Sequence, residues 1–260
     1  VDGGYTQQDV VEVARAFTGW TIGRPDEPGF RFVPAMHDRG AKNILGETLQ
    51  PGRGIEDGEQ VLDMLASHPA TARHIVFKLA QRFVSDTPPE GLVDRVAATF
   101  ESTKGNLREV VRTLVTSPEF FAPGAYRAKV KTPFEFVVSA LRATSADVSS
   151  GVSIVRALAG LGMPLYLCQP PTGYDETAGT WVSSGALVNR MNFALAVSDG
   201  QMRGVQIRLA AAAPSAARDQ LVRDALAGDV SHSTLATMAR ATTVEQATAL
   251  VIGSPEFQRQ

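Results

Sequence analysis

The pattern of apolar positions predicts the same helix and stop at two places in the chain. Each copy of the tetrapeptide Ser-Pro-Glu-Phe, at 117–120 and 254–257, follows a stretch with apolar residues at helical spacing. These apolar residues are Leu107, Val110, Val111, Leu114 and Val115 in the first stretch, and Val244, Ala247, Val251 and Ile252 in the second. Both stretches open on a capping-box pattern. The repeat therefore predicts two related helical junctions, with the serine as a cap and the proline in a new first turn.

Helical periodicity also covers most of the chain after residue 58. The clearest stripe consists of Ala72, Ile75, Val76, Leu79 and Phe83. Further on, Thr132-Pro133-Phe134-Glu135 combines a cap, a first-turn proline and a glutamate that can reach back to the cap. These signals predict nine or ten helices.

Residues 23–58 differ, because glycine and proline are frequent there. Phe30–Val33 and Asn43–Leu49 are typical of two short strands around His37. The sequence thus predicts a mainly α fold, a multi-helix globular bundle with one small β-hairpin near residues 30–49. For the domains it predicts a helical unit with a hairpin insertion at 1–145 and a second helical unit at 146–260 packed on the first, or one continuous domain.

Composition narrows the class of protein but not its function. A content of 44% hydrophobic and 20% charged residues is ordinary for a soluble globular chain. The net charge of −2 provides no long-range attraction to nucleic acid or anionic membrane, so no nucleic-acid partner is predicted. No apolar run approaches the roughly 18–20 residues that span a bilayer, so no transmembrane segment is predicted. Cys168 is the only cysteine, which excludes an internal disulfide and a multi-cysteine metal site.

Two candidate chemical features lie in the first half of the chain. His37-Asp38 could be a metal-ligand pair or an acid–base element, but consecutive turn residues usually point apart, which favours a structural role. His74 begins a basic stripe with Lys78 and Arg82, which a solvated helix face explains and a substrate groove would also fit. Arg73 adjoins the apolar stripe and is expected to pair with a carboxylate. The candidates for that carboxylate are Glu119, Glu135 and Glu256.

The stretch from 168 to 192 has the highest density of chemically active side chains. Its candidate pocket residues are Tyr174, Trp181, Asn189, Arg190 and Asn192. Loops with aromatic and mixed polar side chains often form ligand sites. Asparagine is a poor residue inside a helix, so Asn189 and Asn192 on one helix face indicate hydrogen-bonding work, either for a ligand or for the neighbouring loop.

Sequence fingerprints of cofactor and metal chemistry are missing. No His-Glu-x-x-His, Gly-x-Ser-x-Gly, P-loop or dinucleotide motif occurs, and no calcium-loop pattern is present. The sequence therefore predicts neither a cofactor nor a metal site, and it identifies no catalytic residue.

The order of several short motifs resembles the bacterial family called domain of unknown function 1800 (DUF1800). These motifs are 5–10, 16–20, His37-Asp38-x-Gly40-x-Lys42, 68–72, the first Ser-Pro-Glu-Phe, 131–133, and 170–174 through Trp181 to Asn189-Arg190. The resemblance implies that this chain is the C-terminal part of a longer, periplasmic or secreted protein. It also implies a possible partner from a second family, domain of unknown function 1501, which is similar to sulfatases and alkaline phosphatases.

Two functional hypotheses follow. The first is an exported helical protein without catalytic activity, which binds a partner protein or an extracellular polymer. The alternative is a hydrolase whose pocket is formed by segments 37–38, 68–82 and 168–192. That pocket would contain His37, Asp38, Arg73, His74, Tyr174, Trp181, Asn189, Arg190 and Asn192.

Overall fold

The computed structural model describes residues 3–208 and 213–260, and their fold is mainly α. The helices are α1 Gln7–Ala16, α2 Glu56–Ser67, α3 Pro69–Phe83, α4 Glu90–Ser102, α5 Leu107–Val115, α6 Pro133–Ala143, α7 Val152–Gly160, α8 Ala178–Trp181, α9 Ser184–Ser198, α10 Pro214–Leu226, α11 His232–Met238 and α12 Val244–Ile252. The strands are β1 Trp20–Ile22, β2 Phe30–Phe32, β3 Lys42–Ile44, β4 Glu47–Leu49, β5 Asp147–Val148 and β6 Val205–Gln206. The predicted fold class is confirmed. Across the described ranges, no helix is both long and apolar enough to cross a lipid bilayer.

The chain divides into two compact units. Unit 1 contains the residues up to 80 together with 88–118, and unit 2 contains 81–87 together with 119–260. Residues 119–145 therefore belong to unit 2 in this division. The sequence-based assignment of folding domains at 1–145 and 146–260 stays a prediction.

Unit 1 contains a tight hairpin within the region where the sequence predicts one. Strands β3 and β4 pair antiparallel and are joined by Leu45 and Gly46, with φ angles of 51° and 85°. Two successive positive φ angles make a two-residue turn whose twist matches that of the flanking strands. Ile44 and Leu49 of this hairpin are fully buried against Ala16 and Val61.

The partner of the Phe30 strand differs from the expectation. Phe30–Phe32 pairs antiparallel with Trp20–Ile22, and the segment Asn43–Leu49 makes the β3–β4 hairpin by itself. A single turn of 3₁₀ helix at Pro34–Met36 separates the two strand pairs. Proline at its first position fixes φ and lacks the N–H that a continued strand would need.

Unit 2 is built around a large apolar core shared by several helices. Its buried members include Phe136, Leu158, Phe193, Val197, Leu226, Met238, Ile252 and Phe257. The segments 129–131 and 258–260 lie antiparallel beside this core. Their backbones exchange hydrogen bonds between Lys129 and Gln260, and Lys131 donates its N–H to the carbonyl of Gln258.

The helix starts predicted by the repeat are confirmed. The new first turn of helix predicted at each Ser-Pro-Glu-Phe copy is not. Asn106 and Thr243 cap α5 and α12, but the expected capping boxes do not form: Asn106 accepts from Arg108 N–H, and Gln246 accepts from Thr242 rather than from Thr243. Both Ser-Pro-Glu-Phe copies then form turns instead of helices. After the second copy the chain pairs in extended form with 129–131, which excludes a helix there. After the first, Pro123 disfavours helical backbone at the preceding residue.

Candidate functional site

His37 belongs to a buried charge cluster, defined here as His37, Lys42 and Asp57. The Lys42 ammonium donates to Asp57 Oδ2 at 2.8 Å, and His37 Nε2 lies 3.3 Å from the same oxygen. The three side chains are 0–1% exposed. His37 Nδ1 donates to the carbonyl of Thr18 at 2.8 Å. Both ring nitrogens of His37 thus face protein oxygens, and its side chain has no exposed surface. This position indicates a structural role in the packing of unit 1.

Asp38 points away from His37 and pairs with α1. Its carboxylate accepts from Arg15 Nε at 2.8 Å and from the N–H of Gly40. These two hydrogen bonds hold the pKa of Asp38 far below its ordinary range, so it is ionised. A side chain at Gly40 would come within 2.7 Å of the Arg15 guanidinium, so the arginine would have to shift.

Arg73 and His74 line an open groove of about 500 Å³ in unit 1, together with Phe77, Pro88 and Glu90. The prediction that Arg73 pairs with Glu119, Glu135 or Glu256 is wrong. The guanidinium pairs with Glu90 at 3.1 Å and with Asp94, both on α4. All three side chains are at least half exposed, so this pairing contributes little to stability.

Tyr174 and Trp181 fold the loop that precedes α9. The Tyr174 hydroxyl donates to the carbonyl of Pro164, and Trp181 Nε1 donates to the carbonyl of Asp175 at 3.0 Å. The two ring centroids are 6.4 Å apart. Burial, and then the neighbouring Cys168, raise the pKa of Tyr174 above its ordinary value. Both polar groups are thus occupied by backbone carbonyls.

The three α9 candidates separate into one buried and two exposed side chains. Arg190 is 2% exposed and donates to Gln258 Oε1 at 2.8 Å and to the carbonyl of Lys131 at 2.7 Å. Burial lowers the pKa of Arg190 from its ordinary value. Asn189 donates to the carbonyl of Gly160 in α7 at 3.3 Å, and Asn192 is exposed. Arg190 therefore anchors the segments 129–131 and 258–260 to α9.

Arg82 is the centre of an ionic network in unit 2, and sequence reasoning missed its partners. Its guanidinium pairs with Glu135 and, at 3.0 Å, with Glu176. Burial opposes the charged form of Glu135, but hydrogen bonds from Gln260, Arg82 and Thr132 outweigh it and lower the pKa. The periodicity placed Arg82 on a solvated stripe with His74. Only the capping glutamate Glu135 gave a sequence signal for this site.

Beside this network lies the aromatic groove, which we define by Phe83, Phe120, Phe121 and Tyr126. Its volume is about 450 Å³. Arg82, Arg127, Lys129 and Gln260 complete its polar lining, while Ala122 and Ala125 form the rest. Lys129 pairs with Asp86 and also donates to the carbonyl of Glu176 at 2.6 Å. The groove thus combines aromatic walls with cations that are already held in place.

Lys131 lies next to these groups and loses its proton at a lower pH than an ordinary lysine. Burial, followed by repulsion from Arg127 and Arg190, lowers its pKa to about 8, and Glu135 opposes this shift. The ammonium donates to the carbonyl of Phe257 at 2.9 Å and lies 4.2 Å from the centre of the Phe257 ring.

We expect the free energy of unfolding to rise with pH between 8 and 10 because of Lys131. In this window the unfolded chain, with a lysine pKa of 10.5, binds more protons than the folded chain. The difference between 10.5 and 8 sets a limit of about 3.4 kcal/mol. Solvent screening reduces the expected rise to about 1–2 kcal/mol. Urea unfolding at pH 7, 8, 9 and 10 measures it.

Lys131→Met is the variant that isolates this effect, and Lys104→Met at an exposed position is its control. The loss of the Phe257 hydrogen bond displaces the whole stability curve of Lys131→Met without adding a pH slope. The gap between wild type and Lys131→Met should therefore change from pH 8 to 10. Parallel curves for wild type and Lys131→Met would contradict the buried-amine interpretation.

No group of three histidine, cysteine, aspartate or glutamate side chains within the described ranges is arranged to hold a metal ion. In the Arg82 and Asp57 clusters the carboxylates instead have arginine or lysine partners.

A protein-family model described as "Protein of unknown function (DUF1800)" matches residues 1–259. No curated protein and no solved structure matches the chain.

Proposed function

We propose that this chain, which belongs to the DUF1800 family of unknown function, is an accessory protein that binds a partner protein. The proposal rests on the geometry of unit 2. The aromatic groove of unit 2 is the proposed binding surface. The exposed aromatic side chains in this groove are the observation that carries the proposal.

The aromatic groove presents more apolar surface than its own fold needs. Phe121 is 74% exposed, Tyr126 is 64% exposed and Phe83 is 49% exposed. Aromatic residues and arginine dominate the binding energy of protein interfaces, where they fill pockets on the partner. Burying one such ring in a complex would contribute about 1.5–3 kcal/mol.

The polar groups around the groove favour binding over catalysis. Arg82 and Lys129 already pair with carboxylates, and Arg127 donates to the carbonyls of Leu226 and Asp229. Glu135 is held ionised by its donors, so it is not suited to act as a general acid. These fixed charges supply an ordered polar rim for an apolar partner segment.

The compartment and the partner are part of the proposal. The resemblance implies a periplasmic or secreted protein, and a neighbour from the DUF1501 family is the partner to test first. An extracellular polymer is the rival ligand for the same surface. Aromatic rings and arginine together favour a protein, because both are enriched in the cores of protein interfaces.

We expect Phe121→Ala and Tyr126→Ala each to weaken partner binding at least tenfold, and the double variant to abolish it. The reason is the loss of an exposed ring that the partner buries, which costs more than 1 kcal/mol at an interface hot spot. Co-purification with the DUF1501 protein, followed by calorimetric titration, measures the effect.

Tyr166→Ala is the matched control, because Tyr166 is fully exposed and lies outside the groove. Its affinity should stay within twofold of wild type. If the wild-type chain does not bind the DUF1501 protein, that partner is wrong. If binding persists in the double variant, the groove is not the surface.

The hydrolase alternative stays a prediction. His37, Asp38, Arg73 and His74 belong to unit 1, and the candidates from Tyr174 to Asn192 belong to unit 2. His37 and Arg190 have almost no exposed surface with which to contact a substrate.

A further inference from the structure

Unit 1 contains an apolar cavity that the described residues leave open. The start of α1, the β3–β4 turn and the junction between α2 and α3 surround it, and its volume is about 260 Å³. Val10, Val13, Ile44, Leu45 and Leu65 form its apolar walls. Val10 is 45% exposed and Leu65 is 37% exposed, so the cavity opens to solvent beside them.

We propose that this cavity binds a neutral, mainly apolar small molecule that has one carbonyl or hydroxyl oxygen. Three features of the lining define this class: its volume, the hydrogen-bond donor of His68 and the fixed negative charge of Asp9. This inference is independent of the proposed partner surface, which lies in unit 2.

The volume limits the size of the ligand. An apolar protein cavity of about 150 Å³ holds one benzene molecule. A cavity of about 260 Å³ therefore suits a ligand of roughly ten heavy atoms, such as one ring with a short substituent. Ligand sites of this kind are mostly apolar, with a few polar groups that set the orientation.

His68 supplies the donor. Its Nδ1 accepts the backbone N–H of Ala70 at 3.1 Å, so Nε2 carries the proton when the ring is neutral. Nε2 makes no hydrogen bond within the described part of the chain. Two hydroxyl residues also line the cavity. Thr71 Oγ1 donates to the carbonyl of Leu65 at 2.7 Å, and Tyr5 is 57% exposed to solvent. An acceptor oxygen on the ligand would pair with His68 Nε2.

Asp9 disfavours an anionic ligand, and the apolar walls disfavour a charged ligand of either sign. Its carboxylate accepts from the N–H and hydroxyl of Thr6 and from the N–H of Leu45. The hydroxyl of Thr6 and then the backbone of Leu45 lower the pKa of Asp9 to about 2, so it is charged at neutral pH. A ligand carboxylate in the same small space would be repelled by this charge.

The test uses acetophenone, ethylbenzene and benzoate with the whole chain, followed by chemical-shift titration. Acetophenone has about nine heavy atoms, so we expect saturable binding with a Kd of roughly 0.1–1 mM. Ethylbenzene, which lacks the acceptor, should bind more weakly, and benzoate should bind at least tenfold more weakly. If neither neutral compound saturates, or if benzoate equals acetophenone, the inference is overturned.

Two neighbouring valines supply a matched pair of variants. Val10→Trp fills the cavity and should weaken acetophenone binding at least tenfold. Val11→Trp makes the same change at an equally exposed position that does not line the cavity, and should stay within twofold of wild type. Equal affinities in the two variants would place the binding elsewhere.

His68→Phe tests the hydrogen bond separately. It keeps a ring at the cavity but removes the Nε2 donor. Acetophenone binding should weaken about fivefold, while ethylbenzene binding should not change. An equal loss for both compounds would show that His68 acts only through packing and would overturn the assigned donor.

Discussion

Asp57→Asn is expected to lower the free energy of unfolding by about 3–5 kcal/mol. The Asp57 carboxylate is the counter-ion of Lys42, whose ammonium is completely buried. It also faces His37, and Arg53 Nε lies 3.0 Å from its second oxygen. Removing one partner leaves an uncompensated charge in a region of low polarity, and such changes typically cost this amount. Urea unfolding followed by circular dichroism measures the loss.

Asp63→Asn is the control for that experiment, because Asp63 lies on the same helix in an exposed position. Its effect should stay within about 0.5 kcal/mol. The double variant Lys42→Met/Asp57→Asn should recover part of the lost stability, because it removes both the charge and its partner. If Asp57→Asn matches Asp63→Asn, the cluster does not stabilise unit 1 in this way.

The sequence identified one half of this cluster and missed the other. His37 and Lys42 are part of a recognisable motif, and the turn around them favoured a structural role. Asp57 gave no comparable signal, because it lies fifteen residues after Lys42 and inside a helix. Only tertiary packing decides that this carboxylate, rather than the exposed Asp63, meets the ammonium.

Helix boundaries were predictable where a local capping bond sets them. Thr132 and Glu135 make both bonds of the expected capping box at the start of α6. The turns after the two Ser-Pro-Glu-Phe copies were not predictable in this way. In the second copy the long-range pairing of 258–260 with 129–131 competes with helix formation and prevails.

The candidate residues show the same division between local and long-range information. A helical stripe groups Arg82 with His74, because periodicity assigns a face and not a partner. In the fold Arg82 has two carboxylate partners, one of them Glu176, ninety-four residues away. Phe121 and Tyr126 of the groove lie in an irregular segment at 119–128, where no periodic pattern exists to mark a face. Phe83 ends the apolar stripe of α3, and the periodicity did not predict that it is 49% exposed.

The repeated tetrapeptide also supplies a prediction with an internal control. Phe257→Ala is expected to lower the free energy of unfolding by about 3–5 kcal/mol, because Phe257 is 1% exposed in the core of unit 2. Its ring packs edge-on against Phe136 at a centroid distance of 6.1 Å, and the Lys131 ammonium lies above it. The substitution therefore opens a cavity and removes an aromatic contact from a poorly solvated cation.

Phe120→Ala changes the same position in the first copy of the tetrapeptide, where the ring is only partly buried and lines the aromatic groove. We expect a loss of about 1–2 kcal/mol there, since less apolar surface leaves the interior. Urea unfolding of both variants at one pH gives the comparison. Equal losses would mean that the two copies play equivalent structural roles. A larger loss for Phe257→Ala would mean that the same four residues serve a buried clamp in one place and an exposed surface in the other.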